Sequence, residues 1–314
     1  MILHIEFRDR WGASVDFRQL EAFRAVATGG SISRAAETLN YAQSTVTAQI
    51  QKIEREFGVA LFERVGKRLR LADGGKRLLD YADRILRLTE EAHAAVKGSE
   101  SSDGTISVGA SESLCAYRLP TVLHEYRRRF PAATVRLRPG IGSELRRDIA
   151  NGSLDIAFLM EDPWQEQDIV VDRMLVEPLV IIVAPTNRLA WRRNIGLEEL
   201  DGGTILATER GRSYREVFER ALMSAGAQPA TTLEFGSIEA IKHCVMADVG
   251  IAILPEVAVR EELARGELAA LDLHGPAFTI VTHMAWHRDR RLSPLVKAFA
   301  EIARRRFGRL DLRE

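Results

Sequence analysis

The stretch Ser31–Gly58, SISRAAETLNYAQSTVTAQIQKIEREFG, constrains this chain more than any other. Ser31 is a helix-capping residue ahead of a short run in which Ala35, Ala36 and Leu39 offer small side chains for close packing. Asn40-Tyr41-Ala42 makes a turn. From Gln43 to Phe57, Val46, Ile50, Ile53 and Phe57 recur at three- and four-residue steps, the buried stripe of a helix that Gly58 ends. The start of that helix carries Gln43, Ser44, Thr45 and Thr47, all short or hydrogen-bonding. Two helices on a tight turn, the second presenting such side chains, form a helix-turn-helix aimed at a DNA major groove. Upstream, Asp16 caps a first helix with Phe17, Leu20, Phe23 and Ala27 on one face, stopped by Gly29-Gly30. Downstream, Leu61-Phe62 returns the chain, and VGKRLRLA reads as a small basic hairpin or wing.

At 314 residues the chain exceeds one typical domain, and its 46% apolar content is ample for real cores. The formal net charge is zero, but Asp16–Arg77 holds eleven basic and seven acidic residues, a modest local excess that fits a phosphate-binding footprint. No run of eighteen apolar residues occurs, so no membrane span is expected. The opening MILHIEFRDRWGASV lacks the apolar core of a signal peptide, which points to a cytoplasmic protein. Residues 1–15 show no periodicity and read as an extension; Val15 as the true initiator is the alternative, and mass spectrometry of the native N-terminus separates the two. Cys115 and Cys244 lie far apart in apolar surroundings, so a disulfide framework or zinc site is not expected and both read as buried small hydrophobes.

From Asp73 to about Lys97, Leu78, Ala82, Ile85, Thr89, Ala92 and Val96 alternate at steps of four and three, the seam of a weak coiled coil that joins two chains. Packing of this helix against its own domain is the alternative. GSESSDG at 98–104 is a linker. Beyond it strands alternate with helices: TISVGA, ATVRLRPG, LDIAFLM, PLVIIVAP, TILATE, TLEFG, IAILP and HGPAFTIVTHMAW are strands, with helices at LPTVLHEYRRRFP, SELRRDIANG, about 213–225, 237–248 and LSPLVKAFAEIARRRF. That order implies an α/β domain with mostly parallel sheets, in two lobes with a cleft between.

Residues 16–75, DFRQLEAFRAVATGGSISRAAETLNYAQSTVTAQIQKIEREFGVALFERVGKRLRLADGG, resemble the winged helix-turn-helix of LysR-type transcriptional regulators. ISVGASESLCAYRLP, FPAATVRLRPG, ANGSLDIAF, EPLVIIVAP and VGIAILPE resemble the family's effector domain, which has a periplasmic-binding-protein-like fold. The likeness runs from about Asp16 to Phe307. It implies an extension at 1–15, a DNA-binding domain at 16–73, a dimerisation helix at 74–98 and an effector domain at 104–307. Within the last, lobe I spans about 104–174 and 277–307, and lobe II about 175–276. The family's partners are implied too: double-stranded DNA at an interrupted palindrome, a small-molecule effector, further copies of the chain as a dimer of dimers, and RNA polymerase. No cofactor is implied.

On these residues the recognition helix offers Gln43 for a bidentate contact to adenine, and Ser44, Thr45, Thr47 and Gln49 for bases or phosphates. Lys52 faces phosphate, as do Arg34 and the wing residues Arg64, Lys67, Arg68 and Arg70, the wing also meeting the minor groove. Helix capping and a solvated charge run are the structural alternatives. Ala42 stands where the family often has a capping serine, Ala48 where arginine is common, and Ala72 where threonine precedes the linker helix, with Asp73 able to cap one residue later. By the same resemblance Ser111, Glu112, Ser113, Gly142, Ser143, Thr208 and Ser237 are effector-site candidates, at strand ends and helix starts that suit anions. Glu112 repels a carboxylate unless it is paired or turned outward.

Other classes fit less well. His283 and His287 fall on a strand pattern, roughly 13 Å apart on one face, which excludes simple chelation. His243-Cys244 is a pair by adjacency only. No phosphate-binding loop, G-x-S-x-G elbow or H-E-x-x-H is found, so an enzyme is not expected. A transport solute-binding protein leaves the helix-turn-helix unexplained. A thiol-redox regulator lacks the close cysteine pair of the family's peroxide sensors; a peroxide- or diamide-dependent change in DNA binding lost in Cys244→Ser is the result that revives it.

Overall fold

The computed structural model describes residues 15–65, 68–97, 104–275 and 277–308, and forms two compact units, 1–100 and 101–314. The extension before residue 15, Lys67 and most of the 98–104 linker lie outside the described residues, as do the side chains of Arg68 and Val96.

The first unit runs α1 (Phe17–Gly29), α2 (Ile32–Leu39), α3 (Gln43–Phe57), β1 (Phe62–Val65), β2 (Arg68–Leu71) and α4 (Asp73–Lys97). Asp16 caps α1, its carboxylate accepting the Arg18 N–H at 3.2 Å. The turn before α3 places Asn40 at φ 53°, a left-handed conformation that asparagine tolerates better than most residues. Leu20, Phe23 and Val26 of α1 meet Ala35 and Ala36 of α2, Val46, Ile50 and Ile53 of α3, and Ala82 and Leu86 of α4 in one core. The alanines of α2 let α1 and α3 close over it. Phe57 departs from its expected place in the stripe: it is 44% exposed, leaving the last turn of α3 outside the core.

The seam expected along α4 is divided. Leu78, Ala82 and Leu86, at steps of four, pack into the unit's own core, whereas Tyr81, Ile85, Leu88 and Ala92 are exposed. A straight helix of 3.6 residues per turn drifts from a 3.5 repeat, so one stripe cannot serve both faces. Asp73 is the first residue of α4 and bonds the Lys76 ammonium at 2.9 Å rather than capping from outside the helix. A Cβ on Gly75 would lie 2.1 Å from the Leu61 carbonyl, which accepts the Ala72 N–H. Gly75→Val is therefore expected to prise α4 from the wing and cost about 1–3 kcal/mol; urea unfolding of the variant measures it, and an unchanged midpoint contradicts the packing.

The second unit runs β3 (Gly104–Ala110), α5 (Glu112–Tyr117), α6 (Leu119–Arg129), β4 (Ala133–Pro139), α7 (Gly142–Ala150), β5 (Ile156–Glu161), β6 (Ile169–Val183), β7 (Thr204–Thr208), α8 (Ser213–Ser224), β8 (Thr231–Phe235), α9 (Ile238–Met246), β9 (Ala252–Pro255), α10 (Glu256–Arg265), β10 (Ala269–Ala270), β11 (Phe278–His287) and α11 (Pro294–Phe307). The main sheet has the order β10-β6-β11-β5-β3-β4, with β9 also on β6. β3 is parallel to β4 and β5, and β7 is parallel to β8. β11 is antiparallel to β5 and β6, and β9 and β10 are antiparallel to β6, so the main sheet is mixed rather than mostly parallel. The cause is the pair of long strands β6 and β11, which run side by side in opposite directions within the sheet. Their ladder shifts register between Thr282 and His283.

Beside that shift Glu177 of β6 is fully buried and held by Arg118, between α5 and α6, through bonds of 2.9 and 2.7 Å; the Thr282 hydroxyl donates to it at 3.4 Å. No described helix is long and apolar enough to cross a membrane.

Candidate nucleic-acid interface and ligand cavity

In the first unit α3 presents Gln43, Ser44, Thr45, Ala48 and Lys52 to solvent, while Val46, Ile50 and Ile53 anchor it from behind. Gln49 is half-buried. Thr47 is also half-buried, and its hydroxyl donates to the Gln43 carbonyl at 2.8 Å, the backbone use weighed as its alternative. Ala42 has no side chain to cap α3, so its first amides are left for another acceptor. Tyr41, exposed in the turn, and Arg55, whose Nε donates to the Gln51 carbonyl, border the same surface and escaped the sequence argument because a turn residue and an i+12 position carry no periodic signal.

The wing is fixed to this helix by Glu54 of α3, whose carboxylate accepts the Leu61 and Phe62 amides at 2.8 and 3.3 Å, and to α1 by the Leu69 N–H bonding the Gly30 carbonyl at 3.1 Å. Arg64 and Arg70 are exposed on it, and Arg34 is exposed on α2. The unit is a rigid mount for an exposed polar helix beside a basic hairpin.

In the second unit a cavity lies between the lobes, lined by Ser111, Ile141, Gly142, Leu145, Met160, Arg212 and Tyr214 among others. Ser113 and Thr208 are buried beside it; their hydroxyls are the neighbours of the Tyr214 hydroxyl, and none of the three makes a well-formed hydrogen bond. Burial pushes the Tyr214 phenol up, so it stays a neutral donor. The Glu112 carboxylate lies 3.0 Å from Arg212, whose side chain is 10% exposed, and accepts the Ile238 N–H at 3.3 Å. Glu161 faces Gly142, and burial raises its pKa against the opposing pull of its partner Arg146.

Gly142 thus lines the cavity, whereas Ser143 is exposed and does not. Ser237 caps α9, accepting the Ala240 N–H at 3.5 Å. Arg212 and Tyr214 are absent from the sequence candidates. Their signal, GRSY between a strand and a helix, is the pattern of any loop.

His283 is fully buried with Nε2 on the Glu161 carbonyl, and His287 serves the Asp289 amide. Among the described residues no cluster of three or more His, Cys, Asp or Glu gathers to hold a metal. Burial, with Glu112 nearby, pushes the Cys115 thiol up to about 11. Iodoacetamide at pH 7.5 is therefore expected to spare Cys115 in the folded chain and to label it once denaturant is added; peptide mass mapping checks this, and prompt native labelling contradicts it.

Comparison with known proteins supplies the class that these two units define. The family model for the bacterial regulatory helix-turn-helix protein of the lysR family matches residues 17–76, and that for the LysR substrate binding domain matches residues 99–308. The chain belongs to the LysR family of DNA-binding transcriptional regulators, and it is not an enzyme. Among curated relatives it is 38% identical to the uncharacterized HTH-type transcriptional regulator YwqM of Bacillus subtilis, over 93% of this chain and 100% of that one. It is 34% identical to the HTH-type transcriptional regulator CfxR of Cupriavidus necator, over 95% and 96%. Among solved structures it is similar to full-length CbnR complexed with its target DNA, at 26% identity and a TM-score of 0.65, over 92% and 99% of the two chains.

Proposed function

We propose that this regulator grips an interrupted palindrome through α3 and its wing, as a dimer of dimers in the cytoplasm, and changes its hold when a small molecule enters the interlobe cavity. The observation that carries the proposal is α3 itself: an uncapped N-terminus with Gln43, Ser44 and Thr45 exposed on a helix held rigidly from behind. Free amides and a helix dipole suit a DNA phosphate, and Gln43 suits adenine. Lys52, Arg34, Arg64 and Arg70 supply further phosphate contacts, as do Lys67 and Arg68. Gln49 and Thr47 play lesser parts because each is half-buried.

The exposed Tyr81, Ile85 and Leu88 on α4 support pairing of this helix between chains across 74–98. That CbnR was solved with its target DNA supports the same mode of binding here. In the effector domain of 104–307, Ser111 and Gly142 line the cavity, Ser113 and Thr208 flank its Tyr214, and Glu112 holds its Arg212, while Ser143 and Ser237 are outside its lining. RNA polymerase is the partner through which a changed DNA grip acts on transcription.

A ligand shifts a two-state equilibrium only by its differential affinity for the two states. Footprinting on the chain's own promoter, with metabolites of the neighbouring operon added in turn, is expected to show one that shortens or shifts the protected region. DNA should change the affinity for that metabolite reciprocally. A footprint unchanged by all of them contradicts ligand control.

A further inference from the structure

Glu112 has the wrong charge for a site that is to take an anion, and its contacts explain its presence. It stands on the first turn of α5, in the first lobe, and both of its partners belong to the second. One carboxylate oxygen lies 3.0 Å from Arg212 Nη2; the other accepts the amide of Ile238, the first residue of α9, at 3.3 Å. Glu209, the other carboxylate near Arg212, is farther away at 3.7 Å and half-exposed.

The Glu112–Arg212 pair is close but badly aligned. Glu112 Oε2 and Arg212 Nε are both buried without a hydrogen bond of normal geometry. The pair has Coulomb attraction but lacks the two parallel bonds that make an arginine–carboxylate fork strong. The buried Ser111 hydroxyl, which lines the cavity with Arg212, also lacks a partner, while those of Ser113 and Thr208 neighbour the Tyr214 hydroxyl. The cavity beside the pair, lined by Arg212, Ser111 and Tyr214, is about 20 Å³, enough for roughly one water. An arginine fork and a helix-start amide, with the Ser111 hydroxyl in the adjoining cavity, are thus assembled for an oxyanion, and the seat is filled by the protein's own carboxylate.

We infer that Glu112 is a built-in stand-in for the acid group of the effector: it bridges the lobes while the cleft is empty, and an anionic ligand acts by displacing it from Arg212. This rests on the cleft being the effector site. The Glu112 side chain is 29% exposed, so it has a route to solvent when displaced. The ligand must carry a carboxylate or an equivalent oxyanion that fits the guanidinium better than Glu112 does. Its apparent affinity is lowered by the fraction of molecules in which Glu112 has released the arginine. Glu112 thereby sets the concentration at which the regulator responds, and it excludes neutral molecules, which cannot compete for Arg212.

The test follows thermal unfolding of the full chain against malonate, with sulfate as a second oxyanion and chloride at matched ionic strength. Glu112→Gln keeps the size and removes the charge. Malonate is expected to raise the Tm of Glu112→Gln at concentrations at least tenfold lower than for the unaltered chain, with sulfate weaker and chloride inert. Adding Arg212→Met is expected to abolish the shift, and Arg212→Met alone, in which Glu112 stays, is expected to show none. Identical malonate dependence with and without Glu112, or a shift that survives Arg212→Met, overturns the inference. Promoter binding measured on the same samples separates the two levels: its absence counts against the regulator's proposed DNA contacts, whereas the malonate comparison reports on the cleft alone.

Discussion

Gln43→Ala is expected to weaken operator binding by about 1–3 kcal/mol at each half-site, the worth of a bidentate base contact. Two half-sites bring the loss to about 2–6 kcal/mol, and each 1.4 kcal/mol is about tenfold in Kd. The prediction concerns specificity as much as strength. Gln43 opens α3, is exposed, and its carbonyl is already tied to Thr47. Its amide end is therefore left for a base edge, while its backbone is held. Removing that amide should flatten the preference for adenine at one position and leave binding to random DNA nearly untouched. Lys52→Ala is the contrast: without the ammonium, a phosphate goes unneutralised whatever the base sequence. Affinity should then fall alike for all duplexes, and the salt slope should drop by about one for each such phosphate. Fluorescence anisotropy on operators altered one base pair at a time, repeated across salt, distinguishes the two. A uniform loss for Gln43→Ala contradicts base readout.

Arg118→Met is expected to destabilise the second unit by about 3–5 kcal/mol, because it strands the fully buried Glu177 without its partner. The Thr282 hydroxyl, at 3.4 Å, is too weak a donor to compensate. For a unit of this size that corresponds to a fall in Tm of about 6–20 °C. The pair joins the α5–α6 corner to the shared strands, so the loss should also loosen one lobe against the other. Arg118→Met with Glu177→Met is expected to regain most of the stability, since a buried ion pair can be replaced by apolar side chains at little cost. Scanning calorimetry of both variants decides the point; a single variant as stable as the unaltered chain contradicts the role of the pair.

How much of this was legible beforehand depends on how local the cause was. The bounds of α3, Gln43 to Phe57, follow from a periodic apolar stripe closed by Gly58, and the structure has them. The strand–helix alternation was likewise readable, since each element is set by its own few residues. β6 was seen only from Pro178 onward, because Asp172, Arg173 and Glu177 interrupt its apolar run. Those charges are tolerated through partners distant in sequence, Arg304 for Asp172 and Arg118 for Glu177, which no local pattern reveals. The same limit hid α5, a helix of six residues, and Arg212, whose place in the cavity depends on two lobes coming together. Glu112 was visible as a misfit of charge, but only the structure supplies the arginine opposite it.

Everything proposed for this regulator depends on α3 meeting base edges in duplex DNA. Titrating the purified full chain against the DNA upstream of its own gene and a scrambled duplex of equal length, at moderate salt, tests it most directly. Binding to the upstream DNA is expected to be tighter by about 10³-fold or more, a margin typical of sequence-specific regulators. Equal affinity for the two duplexes, with and without candidate metabolites, contradicts it.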